Sequence, residues 1–449
     1  MEVIVERGQC MGCGLCTLVR PKEPGETAPR IEMTFDPAHD QFVPTVTGWA
    51  PGDPPGSFVC PGAQMDMPAL AKAVHGHEPT DPMLGEVVTL RAGYATDPEL
   101  RDRAASGGVV PAILAHLFET GQIDAAYCVR STGAPRESRG AVLRSASEIA
   151  TIHGSVYHPA RFGEALSDLA AGSERFALVG LPCEIAGFEM LKAQLPGLRE
   201  RHVLSIGLFC GGINTFTGID YYLSHFGVRL DDVASIDYRH GRWPGGIRAV
   251  LRNGSVRKIA RIAGNSRFNI LKYVIAFQGY WMLPRCRICP DQVSDFADVA
   301  VGDPHLPRFR KRDGGFSVVV TRTVRGEATV RAAIAAGRMS EEAISRDEVV
   351  NSQGYTLDNR RHAMVYARVA RKLGMIPPKM ATYAALEKTR AARHYRYAIV
   401  DLVKLRLPKN RFLQTFYLPW QIFEYLFITF APALIGKRLA KLLKNEGGA

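Results

Sequence analysis

The chain has 449 residues and a formal net charge of +12, with 46% hydrophobic and 22% charged residues. That length supports two or three domains with real cores, and the composition is ordinary for a globular protein. The basic balance admits nucleic acid, an anionic membrane surface or acidic partners. However, no Lys/Arg-rich block with interleaved aromatics resembles a nucleic-acid module, so no nucleic-acid partner is expected.

The N-terminus, Met1-Glu-Val-Ile-Val-Glu6, lacks the basic start and apolar run of a signal peptide. A cytoplasmic, reducing setting is therefore expected. There the nine cysteines serve as metal ligands sooner than as disulfides. Cys10, Cys13 and Cys16 follow a Cys-x2-Cys-x2-Cys spacing, and Cys60 is followed by Pro61. Three thiolates at this spacing on a tight loop reach three corners of one cubane, and a distant Cys-Pro closes the fourth. Gly12 and Gly14 suit a loop that bends around the cluster and points amides at sulfur. The competing readings are a zinc site or structural thiols, but zinc sites favour paired Cys-x2-Cys knuckles. Residues 1–75 are expected to form this ferredoxin-like module. Dense Pro and Gly from Pro44 to Pro68 argue for loops around it, and a linker follows near Pro79–Pro82.

From Glu86 strands and helices alternate. Strands are expected at Val87–Tyr94, Asp124–Val129, Phe176–Leu181 and His202–Phe209. Helices are expected at Gly107–Glu119, Arg161–Ala170, Glu184–Gln194 and Phe216–Phe226. The pattern indicates an α/β domain with a largely parallel sheet over 84–325. Arg248–Leu251 and Ser255–Ile259 flank Asn253-Gly254, a strong hairpin signal within a β-rich, α+β insertion. Ala297–Val301 and Phe316–Thr321 read as further strands. Residues 326–449 read as a mainly helical C-terminal region.

Four more cysteines close strands or sit in turns. Cys183 follows Gly180-Leu181-Pro182, Cys210 precedes Gly211-Gly212, and Cys286 and Cys289 form a Cys-x2-Cys turn before Pro290. The carboxyl ends of strands in an α/β domain meet at one ligand-binding edge. These four either form a second cluster or include buried small hydrophobes. Cys128, inside an apolar strand, reads as core. Ser106 is expected to cap the helix after Gly107 and Gly108, with Arg101 and Arg103 adding charge, a setting for a phosphate-bearing cofactor. The turns Gly154-Ser155-Val156-Tyr157 and Gly302-Asp303-Pro304-His305 are weaker candidates for the same role. No Gly-x-Gly-x-x-Gly fingerprint is present.

The segments Ala105–Val110, Gly180–Ile185, Gly207–Cys210, Arg285–Pro290 and Asp298–Asp303, in that order, resemble the coenzyme F420 hydrogenase/dehydrogenase β subunit family. That family of iron–sulfur flavoproteins also includes stand-alone chlorophyll-pathway reductases: 7-hydroxymethyl chlorophyll a reductase and ferredoxin-dependent divinyl reductase. The resemblance implies FAD and two 4Fe–4S clusters. Cys10, Cys13, Cys16 and Cys60 would hold the first cluster, and Cys183, Cys210, Cys286 and Cys289 the second. Ser106, Gly107 and Gly108 would lie against the flavin. Electrons would enter from ferredoxin or a reduced deazaflavin and leave to an organic substrate. His153, Tyr157, His158 and His305 are the candidate proton donors, each with a structural role as the alternative. The rival readings are an electron-input subunit of a larger complex and a non-enzymatic, metal-bound scaffold. Partner subunit and homo-oligomer both remain open.

Phe412–Ile435 is apolar and aromatic, with Lys and Arg on both flanks, but Pro419, Gln421, Glu424 and Pro432 interrupt it. It fits a peripheral anchor at the inner face of a membrane, or a helix packed on protein, better than a spanning helix.

Overall fold

The computed structural model describes residues 1–19, 30–48, 57–131, 133–152, 154–260, 276–277, 280–312, 314–387, 392–406, 416–417, 419–420 and 422–423. Its centre is an eight-stranded sheet. In chain order the strands are β1 (Thr89–Ala95), β2 (Ala125–Arg130), β3 (Arg139–Leu143), β4 (Phe176–Gly180), β5 (His202–Leu208), β6 (Val299–Gly302), β7 (Ser317–Thr321) and β8 (Met339–Ala343). They lie side by side in the order β8-β1-β7-β6-β5-β4-β2-β3.

The four middle strands β2, β4, β5 and β6 run parallel, and the flanking pairs are antiparallel. The sheet is therefore mixed, not largely parallel. The parallel strands are separated by helical crossovers, as parallel pairing demands. Among the described residues of 303–316, between β6 and β7, there is one four-residue helix, Pro307–Arg310, and β7 returns antiparallel beside its predecessor. Every residue of β4, β6 and β7 is buried, the apolar run expected of strands covered on both faces. β8 lies in the stretch expected to be helical. The division at residue 325 thus falls between two strands of one sheet.

The predicted Asn253-Gly254 hairpin is present. It joins Gly246–Leu251 to Val256–Ala260 in a three-stranded antiparallel sheet with Val233–His240, and Gly254 takes φ +82°. Near the N-terminus, Arg30–Asp36 and Gln41–Thr47 form a second hairpin. The short strand Gln64–Asp66, just after Cys60, pairs in parallel with Lys379–Ala381 from the far end of the chain.

The cysteine-rich module is docked firmly on the central domain. Phe35 and Phe42 of its hairpin meet Phe216 edge-on. Asp40 at the hairpin turn accepts from the Thr217 amide at 2.6 Å. It thereby caps, from a distant part of the chain, a helix whose own N-cap Thr215 makes no side-chain bond. Gly163 donates its amide to the Cys13 carbonyl at 2.6 Å. A Cβ on Gly163 would stand 2.5 Å from the backbone of Gly14, itself at φ +74°. Gly163→Ala is therefore expected to push the first cysteine loop off the domain and cost about 1–3 kcal/mol, as overpacking does. Chemical unfolding checks this, and an unchanged midpoint would contradict it.

No helix among the described residues is long and apolar enough to cross a membrane. Most of Phe412–Ile435 lies outside the described residues. Within it, Tyr417 is buried and stacks on Tyr280 at 4.3 Å, while Phe416, Trp420 and Phe423 are exposed.

Candidate functional site

A cavity of about 790 Å³ opens at the carboxyl ends of the parallel strands, where ligands bind in open α/β sheets. The end of β2 contributes Cys128 and Val129, and the end of β4 contributes Val179 to Glu184. Leu208 to Asn214 follow β5, and Val301 to Asp303 close β6. The volume is ordinary for a cofactor site, roughly 300–1,000 Å³. Cys183, Cys210, Cys286 and Cys289 all line it. So do Arg103, Ser106, Gly108, Gly154, Ser155, Tyr157, His158, Asp303 and His305. His153 lies outside the described residues.

Two of the expected roles change. Ser106 does not cap the following helix, Val109–Glu119. Its hydroxyl donates to the Phe316 carbonyl, and Gly108 is the N-cap at φ +76° with no side-chain cap. Gly107 does not line the cavity. Its amide donates to Ser317 Oγ at 3.0 Å, and a Cβ there would stand 2.5 Å from the Gly93 carbonyl oxygen. Gly107 is thus a packing glycine between β1 and β7. The uncapped helix start does open on the cavity through Gly108, Val109 and Val110, which suits a phosphate group.

Cys10, Cys13, Cys16 and Cys60 line a second, smaller cavity, and Cys13 belongs to both. The two cysteine sets therefore share a wall. Burial pushes the Cys10 thiol up to about 12, with Cys60 adding to the effect, and the same two causes raise Cys13 and Cys16. Burial likewise raises Cys60. In the other set burial leads for Cys183, Cys210, Cys286 and Cys289, the last reaching about 11. A metal's positive charge is what allows a buried thiol to ionise and bind. Among the described residues, no three His, Cys, Asp or Glu side chains converge tightly enough to hold a single metal ion. Amides already point at two sulfurs, Gly12 to Cys10 and Ile213 to Cys286, each at 3.4 Å. Such bonds tune iron–sulfur potentials.

On the opposite wall, Arg239 organises the polar groups. Its guanidinium donates to Tyr157 Oη at 3.1 Å and to Asp303 Oδ2 at 3.2 Å, and also to the Ala105 carbonyl beside the Gly-rich turn. Arg239 reaches the cavity from the small antiparallel sheet, together with Ser235 and Asp237 at alternate positions of one strand. Sequence reading missed it, because a lone arginine in a strand carries no motif. Glu184, buried beside Cys183, was also missed. Burial pushes it up to about 7, and it accepts from the Leu181 amide at 2.7 Å.

His158 sits between Tyr238 Oη at 2.7 Å and Ser138 Oγ at 2.8 Å, and burial pushes it down to about 3. Both ring nitrogens are engaged and the ring stays neutral, which fits the structural alternative. His202 is also held near 3, by burial and then by Lys192. Below about pH 6.5 the unfolded chain protonates both rings and the folded chain does not. Stability is therefore expected to fall as pH drops from 6.5 towards 3, by roughly 1.4 kcal/mol per pH unit for each histidine. Unfolding midpoints at pH 7 and pH 5 check this, and equal midpoints would contradict it. His305 is exposed at the rim, its amide bonded to the Asp303 carbonyl.

Two family models of the "Coenzyme F420 hydrogenase/dehydrogenase, beta subunit" match the chain. The model of its N-terminal part matches residues 90–167, and the model of its C-terminal part matches residues 173–347. The chain is 25% identical over 276 residues to the coenzyme F420 hydrogenase subunit beta of Methanosarcina barkeri, which covers 59% of this chain and 84% of that one. It is 23% identical over 262 residues to the coenzyme F420 hydrogenase subunit beta of Methanothermobacter thermautotrophicus, covering 57% and 84%. Similarity to the coenzyme F420-dependent sulfite reductase of Methanocaldococcus jannaschii is 27% over 237 residues, 49% of this chain and 33% of that one. A chain of the F420-reducing [NiFe] hydrogenase complex from Methanosarcina barkeri shares the fold, with TM-score 0.51 and 20% identity over 67% of this chain and 98% of that chain. The family models and these relatives support an oxidoreductase of the electron-transfer class. The chain belongs to the coenzyme F420 hydrogenase/dehydrogenase beta subunit family.

Proposed function

We propose that the chain is an iron–sulfur flavoprotein reductase, taking electrons from ferredoxin or reduced coenzyme F420 and delivering them to an organic substrate. The observation that carries this reading is the shared wall. Cys13 of one cysteine set faces the cavity that the other set and the uncapped helix start also line. When bound, two 4Fe–4S clusters carry single electrons and FAD converts them to a two-electron step. Cys10, Cys13, Cys16 and Cys60 hold one cluster, and Cys183, Cys210, Cys286 and Cys289 the other. The amides at Gly108 to Val110, with Arg103, receive the flavin phosphates. Tyr157, oriented by Arg239, is the proton donor that best fits the cavity.

The test is anaerobic purification followed by metal, sulfide and flavin analysis. About eight irons, as many labile sulfides and one releasable FAD are expected, given four irons per cubane. Reduced ferredoxin and reduced F420 are then titrated in turn. A colourless zinc protein without flavin would overturn the redox reading and favour a scaffold. A second reading, an electron-input subunit of a larger complex, is favoured by relatives that are themselves named as subunits or as part of a complex. Co-purification of a stoichiometric catalytic subunit would select it.

A further inference from the structure

Arg285 lies between the two cysteine sets, and its side chain is wholly buried. Nε and Nη2 donate to the carbonyl of Pro61, the residue after Cys60, at 3.2 and 3.1 Å. Nη1 donates to the carbonyl of Ile288, between Cys286 and Cys289, at 3.0 Å. One planar fork thus ties the loop of the first set to the turn of the second.

Five other arginines are buried among the described residues; Arg322, like Arg285, bonds only to carbonyls but has Asp295 and Asp291 as charge neighbours, and the other four each meet a carboxylate. Arg360 meets Asp295 and Asp291, Arg91 meets Glu327, Arg239 meets Asp303 and Arg287 meets Asp401. Among the described residues no carboxylate lies within ion-pair distance of Arg285. A guanidinium does not shed its proton, and an unpaired charge is not tolerated in a protein interior. The counter-charge must come from its surroundings. The carbonyls it holds belong to Pro61, next to Cys60, and Ile288, next to Cys289, and Arg285 itself precedes Cys286, so thiols flank it on both sides.

We propose that Arg285 is the shared counter-ion of two thiolate-ligated clusters, a positioning residue that fixes their separation and raises both reduction potentials together. The inference rests on the two-cluster reading above. An electron added to either cluster adds negative charge beside the same fixed cation, so the reduced forms are favoured on both sides.

The experiment uses the full chain, purified anaerobically, with iron analysis and a redox titration followed by EPR. The parent chain is measured first, and fewer than about eight irons would sink the two-cluster reading itself. In Arg285→Gln both clusters are expected to become harder to reduce. At a fixed potential the reduced-to-oxidised ratio of each should fall about tenfold, which is about 59 mV for one electron. In Arg285→Lys, which keeps the charge, both potentials are expected to return towards the parent values. A shift in one cluster alone, or in neither, overturns the proposal. If the glutamine variant loses its iron, the lysine variant decides. Both clusters retained at parental potentials supports the shared counter-ion, and loss of either overturns it.

Discussion

Under the proposed two-cluster reading, Cys183→Ala purified without oxygen is expected to carry about half the iron of the parent chain, since a cubane holds four irons. Cys183 stands in the first turn of the helix Pro182–Lys192, just past the carboxyl end of β4. Glu184, Cys289, Cys210 and Cys286 are its charge neighbours, so on the proposed reading removing it would open one corner of one cluster and leave Cys10, Cys13, Cys16 and Cys60 untouched. Cys10→Ala should remove the other half. Cys128→Ala is the control, because that thiol lies in β2 within the core and should leave iron unchanged. Full iron content in Cys183→Ala would remove it as a ligand.

Arg360→Met is expected to destabilise the fold by about 3–5 kcal/mol, the usual cost of leaving a buried charge without its partner. Arg360, on the helix Gly354–Lys372, donates to Asp295 at 2.6 Å and to the Pro82 carbonyl, and faces Asp291 at 3.6 Å. Tyr383 also donates to Asp295, and Arg322 grips the carbonyls of Leu84, Glu86 and Val293. Burial works against ionisation of Asp295, but Arg360 and Arg322 outweigh it and hold the carboxyl below its usual range. Without Arg360 that charge is stranded. Adding Asp295→Asn should recover much of the loss, because the charge goes with its partner. A loss below about 1 kcal/mol in the single variant would mean that Arg322 alone suffices.

How much was legible follows from the range of each signal. The Cys-x2-Cys-x2-Cys run, the Asn253-Gly254 turn and the apolar strands ending at Gly180 and Leu208 are local patterns, and each lies where the sequence puts it. The gathering of Cys183, Cys210, Cys286 and Cys289 around one cavity was readable because parallel strands end at one edge. Edge strands β3 and β8 escaped notice, since short, half-exposed segments such as Met339–Ala343 carry little alternation. Ser106 was misread because its hydroxyl found a partner 210 residues away, at Phe316. Arg239 and Arg360 were invisible for the same reason. Their partners are carbonyls and carboxylates remote in sequence, and an arginine's local context does not announce them.

The pairing of Gln64–Asp66 with Lys379–Ala381 bears on the order in which the molecule is made. Cys60 and the strand that follows it leave the ribosome more than 300 residues before the strand that completes them. At about 5–20 residues per second that interval is roughly 15–60 s. During it the cysteine-rich module exists as nascent chain without its closing strand. Its final docking therefore comes well after its own synthesis, and Cys10, Cys13, Cys16 and Cys60 are made that long before the strand that closes the module.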